Sequence, residues 1–130
     1  MAQTLLFLNE DTSFSAVCGE DFDAGAAVAI DPDDGELYKA GGAAGANGLV
    51  PCMGFAEVAG VEGKSITVKT QGIMNWITNT LTEGAEVHLG ETLGTIQVAA
   101  PVGALKRVQV LGGALDPARF LIQIHEYSTL

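Results

Sequence analysis

The sequence predicts an all-β fold: a small β-barrel or β-sandwich built from two similar hairpin-containing units, with an extended N-terminal arm and little helix. Helix-period patterns are almost absent, whereas short alternating or β-branched runs recur between glycine-containing turns. One stretch of about 50 residues also repeats along the chain. Because two copies of one β unit pack most simply as a closed or two-layered structure, the repeat indicates a barrel or sandwich.

Seven segments read as strands, each bounded by turn residues. They are residues 24–30, 36–40, 65–70, 85–89, 95–99, 106–111 and 120–127. Asp31-Pro32-Asp33-Asp34-Gly35 separates the first two and is a strong turn signal, because proline presets one dihedral angle and glycine accepts a positive one. Residues 90–94 have the same role between the fourth and fifth strands.

The two hairpins repeat at a constant spacing. At an offset of 59, Gly25, Val28, Ile30, Gly35 and Leu37 match Gly84, Val87, Leu89, Gly94 and Ile96, and Gly54-Phe55-Ala56 matches Gly113-Ala114-Leu115. The closing strands, 66–68 and 122–124, align at 56. We therefore expect an arm at 1–22 and one β-barrel domain at 23–130, with pseudo-repeats of about 24–74 and 83–127.

The charge is concentrated at the N-terminus. The chain has 130 residues and a net charge of −10, and its first 38 residues hold nine acids without any Lys or Arg. Nucleic-acid binding requires a basic surface, so we expect none. An acidic arm suits a basic protein surface instead. No apolar run approaches the length of a membrane span, and no basic residue precedes the apolar run 5–8, so we expect neither a span nor a signal peptide.

Metal sites and cofactors are not expected. Asp31, Asp33 and Asp34 faintly resemble a calcium loop, but the spacing is wrong for an EF-hand, so a structural turn is the preferred interpretation and a weak divalent site the alternative. A zinc site would need Cys18, Cys52, His88 and His125 to converge from distant positions. Two cysteines give no disulfide framework, and we expect free thiols.

Catalytic patterns are also missing from the sequence. Gly63-Lys64-Ser65 lacks the earlier glycine of a phosphate-binding loop, since position 58 is Val58. The acidic residues around Cys18 should raise its thiol pKa, and Cys52 follows Pro51 in an apolar setting, so neither favours a nucleophile. We expect no enzyme; a small hydrolase or isomerase is a distant alternative.

Two connections are the candidate interface regions. Residues 41–48, rich in Gly and Ala, suit either a flexible link or close contact with another backbone, and Gly42 and Gly45 are candidates for a subunit interface. Trp76 and Ile77 lie between the units. Trp76, the only tryptophan, is interpreted either as a plug of one barrel end or as an intersubunit contact.

The order of these segments resembles the head decoration proteins of tailed bacteriophages. Strand 27–31, Gly35-Glu36-Leu37-Tyr38-Lys39, the Gly/Ala-rich link, Gly54-Phe55-Ala56, the threonine-containing strand 65–70 and Gly72-Ile73-Met74 follow the layout of the lambda-type family. The resemblance implies a homotrimer that binds the major capsid protein on the outer surface of the virion, assembled in the host cytoplasm. It further implies that the N-terminal arm grips the shell, here through Leu5, Leu6, Phe7, Leu8 and Phe14.

The expected function is therefore decoration and stabilisation of an expanded capsid by binding between its subunits. This arm is more acidic and more apolar than the family's small-residue arm, which leaves the docking mode open. The alternative function is a phage head or tail fibre, or a receptor-binding β module, in which Trp76 between Asn75 and Asn79 would contact a host glycan or protein.

Overall fold

The computed structural model describes residues 12–41, 51–75, 81–100 and 107–129. Across these ranges the fold is all-β, with eleven strands and no helix. The strands form two antiparallel sheets, each with five strands in a continuous order, and the second sheet has one further strand that lies outside this order. The all-β prediction is confirmed. Of the two predicted architectures the structure is compatible with the sandwich and not with the barrel, because neither sheet closes on itself within the described ranges.

The first sheet contains the first five strands in the order β1-β5-β4-β2-β3. Its strands are β1 Ser13–Val17, β2 Ala27–Ile30, β3 Leu37–Lys39, β4 Gly54–Ala56 and β5 Ser65–Lys69. A single parallel bridge between Cys18 and Leu37 brings the two edges of the sheet together at one end. One bridge is not a ladder, so the sheet is rolled but open.

The second sheet has the same strand order one unit later, β6-β10-β9-β7-β8. Its strands are β6 Gly72–Asn75, β7 Glu86–Leu89, β8 Ile96–Gln97, β9 Arg107–Asp116 and β10 Arg119–Ile122, and β11 Tyr127–Thr129 pairs with β9. Each sheet thus begins at one edge with the first of its strands along the chain, β1 in the first sheet and β6 in the second. The structural units span 13–69 and 72–122, which revises the predicted limits of both repeats.

The turns explain why the hairpins repeat so regularly. Gly25 and Gly84 precede β2 and β7 with φ angles of 86° and 81°, and Gly35 and Gly94 precede β3 and β8 with 72° and 76°. Residues with a side chain rarely adopt such angles, so glycine at these four positions fixes the turn and the register that follows. The two hairpins therefore keep the offset of 59 observed in the sequence.

Each sheet encloses a core on its concave face. In the first sheet Val28, Ala56 and Val68 pack with Phe22 and Cys18. The equivalent positions in the second sheet belong to the other core: Val87, Ala114, Phe120 and Leu81. The opposite face of the first sheet contributes Ala27, Ala29 and Phe55 to this second core. The Phe55 and Phe120 rings meet edge to face with centroids 5.5 Å apart, so the two sheets share one apolar layer.

Part of the predicted arm belongs to the body. Residues 13–17 form β1 and pair with β5 from Ser13–Lys69 to Val17–Ser65. Cys18 is fully buried and Phe22 is 6% exposed. The boundary predicted at residue 22 therefore lies too far along the chain, because the alternating apolar residues of this segment find their partners in the chain's own sheet rather than on another molecule.

Candidate partner-binding groove

The predicted contact residues fall into two groups. Leu5, Leu6, Phe7, Leu8, Gly42, Gly45, Trp76 and Ile77 lie outside the described residues. Phe14 lies within β1, partly buried against the core of the first sheet. Its ring therefore stabilises the body, and the expectation that Phe14 contacts a capsid is not supported by its position.

A groove of about 760 Å³ opens where the two sheets meet. One wall comes from the first unit, with Phe22, Val61 and Lys39, and the other from the second unit, with Met74 and Leu93. Asp21, Asp23 and Asn75 also line it. Its size is within the usual range for ligand sites, enough for several side chains. Asn75 directly precedes the predicted interface residue Trp76 in the sequence.

The first wall is held by residues 18–22, which we call the strap. Gly19 N–H donates to the Leu37 carbonyl at 2.8 Å, and Phe22 and Gly60 exchange two backbone hydrogen bonds, of 3.2 and 2.8 Å. The Phe22 ring packs against Gly60, where a β-carbon would be too close to it. The strap thus crosses from β3 to the β4–β5 turn and covers the core of the first sheet.

Two acidic side chains of the strap accept hydrogen bonds from backbone groups of neighbouring segments. The Lys39 N–H donates to Glu20 Oε2 at 2.8 Å, and the Glu62 N–H donates to Asp21 Oδ1 at 2.8 Å. The sequence predicts that the acidic residues of the N-terminal region contact a partner. At least these two carboxylates instead accept hydrogen bonds within the first unit. Asp23 differs, because its carboxylate makes no hydrogen bond or ion pair within the described residues.

The second wall is joined to the first through Gly94. Its N–H donates to the Ala40 carbonyl at 2.7 Å, and its carbonyl accepts from the Ala27 N–H at 3.1 Å. The Lys39 stem packs over Gly94, since a β-carbon there would lie 3.1 Å from Lys39 Cγ. Lys39 also lines the groove, and its ammonium group makes no ion pair with the described residues.

The acidic turn between β2 and β3 is organised by its own carboxylates. Asp31 Oδ1 accepts from the Asp33 N–H and Asp34 Oδ1 from the Glu36 N–H, both at 2.8 Å. The Tyr38 hydroxyl donates to Asp34 Oδ2 at 2.6 Å. This bond is the largest factor that raises the pKa of Tyr38 to about 12 and lowers the pKa of Asp34. The geometry is that of the predicted structural turn.

The cysteines and histidines do not gather into one site. Cys18 and Cys52 are free and buried, and burial raises the pKa of both thiols, that of Cys52 to about 12. The acidic neighbour Asp21 adds a smaller increase to the pKa of Cys18, so burial outweighs the acidic setting that the sequence emphasised. His88 is buried and its Nδ1 lies 2.9 Å from the Val98 carbonyl, whereas His125 is exposed.

No cluster of three or more His, Cys, Asp or Glu side chains that could hold a metal ion occurs within the part of the chain that the structure describes. The calcium and zinc alternatives therefore gain no support from these residues. Among the same residues, no helix is long and apolar enough to cross a membrane.

The groove could not be recognised from sequence patterns alone. Phe22, Val61, Met74 and Leu93 are far apart in the chain, and only the sheet topology brings them together. The one local signal was the pair Gly25 and Gly94, whose positive φ angles let the two units approach at this point.

Comparison of the chain with protein-family models, with curated proteins and with solved structures found no match.

Proposed function

We propose that this chain is a structural virion protein that decorates an expanded phage capsid, bound as a homotrimer between capsid subunits on the outer surface. The proposal starts from the resemblance in the order of hairpin, link and closing strand. The observation that carries it further is the position of β1. Among the described residues, this strand lies at the edge of its sheet and pairs along its length with β5 alone.

An edge position suits a protein that grips a shell. The candidate capsid-binding residues Leu5–Leu8 come shortly before β1 in the sequence, and β1 is an edge strand among the described residues. A partner can take up this segment without opening either core. Strand edges and apolar extensions are common means of joining two chains.

Many weak contacts are sufficient for this role. A clamp that binds the assembled shell but not its free subunits stabilises the shell by mass action, and three linked copies gain further from multivalency. Such a protein needs a rigid body and a docking surface, which the shared apolar layer and the groove supply.

The proposal is tested by oligomeric mass and by co-sedimentation with phage heads. We expect a trimer by light scattering, and sedimentation with expanded heads but not with unexpanded ones. Deletion of residues 2–11 should abolish head binding, with Glu83→Gln as a matched surface control that binds normally. A monomer that does not bind heads would refute the proposal.

A fibre or receptor-binding module is the second candidate. Asn75 lines the groove and Trp76 follows it, and glycan sites combine aromatic and amide groups in this way. Binding of the purified protein to host envelopes or host glycans, without binding to heads, would favour this function.

A further inference from the structure

We infer that the groove between the two sheets binds an extended protein segment that carries lysine or arginine side chains. The inference rests on the proposed function in one respect: the segment is taken to belong to the capsid protein. The chemistry of recognition is argued from the groove itself.

The apolar walls suit the stem of a long side chain. Val61 is 51% exposed beside Phe22, and Met74 is partly buried on the opposite wall. Lysine and arginine lay their methylene groups along apolar surface while the charged head stays in a polar environment. A groove with apolar walls and a charged rim accommodates both parts of such a side chain.

The rim supplies carboxylates for the charged head. Asp21 and Asp23 are both exposed and flank Phe22 on the same wall. Asp21 uses Oδ1 for the Glu62 N–H, which leaves Oδ2, and Asp23 has both oxygens available among the described residues. Carboxylates bind ammonium and guanidinium groups through charge-assisted hydrogen bonds.

The charged side chains that line the groove determine which charge its partner should carry. Lys39 also lines the groove and opposes a basic partner, but the carboxylates of Asp21 and Asp23 outnumber its single ammonium group. An anionic segment would face two carboxylates for one ammonium group. The groove therefore favours a cationic occupant, in keeping with the nine acids and no bases of residues 1–38.

The test uses a capped hexapeptide in which valine alternates with lysine or arginine, and a second peptide with glutamate at the charged positions. Binding is followed by NMR at about 20 mM salt, where exposed charges are weakly screened. We expect the basic peptide to shift the resonances of Phe22, Gly25 and Met74, and the acidic peptide to leave them unchanged.

Matched variants distinguish binding in the groove from a general effect of the protein's net charge on peptide binding. Asp21→Asn/Asp23→Asn keeps an oxygen for the Glu62 N–H and should weaken binding about three- to tenfold. Asp33→Asn/Glu83→Gln removes the same charge from exposed positions outside the groove and should change binding less than about twofold. Lys39→Gln removes the opposing charge and should tighten binding about twofold.

Three results would overturn the inference: no binding of the basic peptide, stronger binding of the acidic one, or equal weakening by both double variants. Head binding that survives Asp21→Asn/Asp23→Asn would also refute it, while leaving the proposed function intact. Groove binding of the basic peptide by a protein that ignores heads would support the inference and refute the proposed function.

Discussion

The side chain of Gln109 takes the place of a neighbouring strand for Cys52. Its Oε1 accepts the Cys52 N–H at 2.8 Å, and its Nε2 donates to the Cys52 carbonyl at 3.1 Å. The same Nε2 donates to the His125 carbonyl at 2.9 Å. Gln109 is 1% exposed, so one buried amide satisfies backbone groups of both units and links β9 to the chain entering β4.

Replacement of this amide should be costly. Gln109→Leu keeps the approximate volume but leaves the buried N–H and carbonyl of Cys52, and the less buried carbonyl of His125, without their partner. We expect it to lower the free energy of unfolding by about 2–4 kcal/mol. Urea denaturation measures the change. Gln123→Leu, at an exposed position, is the control and should stay within about 0.5 kcal/mol of the wild type. Equal effects of both substitutions would contradict the linking role.

Gly54 is equivalent to Gly112, and not to Gly113 as the repeat predicted, because Gly54 pairs with Val28 and Gly112 pairs with the matching Val87. A β-carbon at Gly54 would lie 2.5 Å from the Lys69 carbonyl oxygen, and one at Gly112 would collide with the Leu121 carbonyl oxygen. Both obstacles are backbone of the adjacent strand, which cannot rotate away. In each sheet, glycine at this point allows the closing strand to approach its neighbour.

We therefore predict opposite effects for two adjacent glycines. Gly112→Ala forces backbone displacement and should destabilise the protein by about 2–3 kcal/mol. Gly113→Ala meets nothing within 4 Å and should leave stability unchanged or raise it by up to about 1 kcal/mol. Chemical denaturation of both variants checks the pair. A neutral Gly112→Ala would show that the strands can separate at this point without loss.

The hairpins could be predicted because their turn chemistry is local. Gly35 and Gly94 mark the same step in both units, and the flanking strands alternate in polarity. The sequence predicts an offset of 56 residues between the closing strands of the two units, and this alignment is wrong. In the structure Lys69 pairs with Phe55 and Leu121 pairs with Gly113, an offset of 52 between the two closing strands. A slip of four residues keeps the same face buried, so alternation alone cannot detect it.

Other strands were missed or were predicted with the wrong limits, for different reasons. β4 has three residues, too few for an alternating pattern, and β8 has two residues where five were predicted. β1 does alternate, but its proximity to the acidic residues led to its assignment to an arm. The predicted strand 120–127 instead ends at Ile122, and β11 begins at Tyr127. Strand pairing is a long-range property, and short strands carry little local signal.

Two N-terminal truncations should show which N-terminal residues the folded body needs for its stability. Deletion of residues 2–11 leaves β1 and the strap intact, so we expect a thermal transition within a few degrees of the wild type. Deletion of residues 2–22 removes β1 and the buried Cys18 and Phe22, and should abolish cooperative unfolding. Near-UV circular dichroism during heating records both outcomes.

A point substitution controls for the length of the deletion. Phe22→Ala in the full chain removes only one buried ring and should cost about 3–5 kcal/mol. If the protein without residues 2–22 melted like the wild type, the strap and β1 would be dispensable for the fold.

The contact between Tyr38 and Asp34 should make stability depend on pH at both extremes. The pKa of Tyr38 rises to about 12 in the folded protein, from an ordinary value of about 10. The folded state thus holds the phenol proton more tightly, and this stabilisation is complete below about pH 10 and lost as the pH rises towards 12. For Asp34 the pKa is lowered, so its contribution is present above its ordinary value of about 3.9 and lost as the pH falls through the folded value.

Tyr38→Phe removes the hydrogen bond and should abolish both dependences. The difference in urea midpoint between wild type and variant is expected to be constant from about pH 5 to pH 9 and to shrink on either side. The difference in tyrosinate absorbance between the two proteins isolates Tyr38 from Tyr127. Asp34→Ala should return the Tyr38 pKa towards 10, because its carboxylate is the largest cause of the shift. Asp33→Asn leaves the hydrogen bond between Tyr38 and Asp34 intact and should therefore not return the pKa of Tyr38 towards 10. A Tyr38 that ionises at its ordinary pKa in the wild type would show that the bond does not persist in solution.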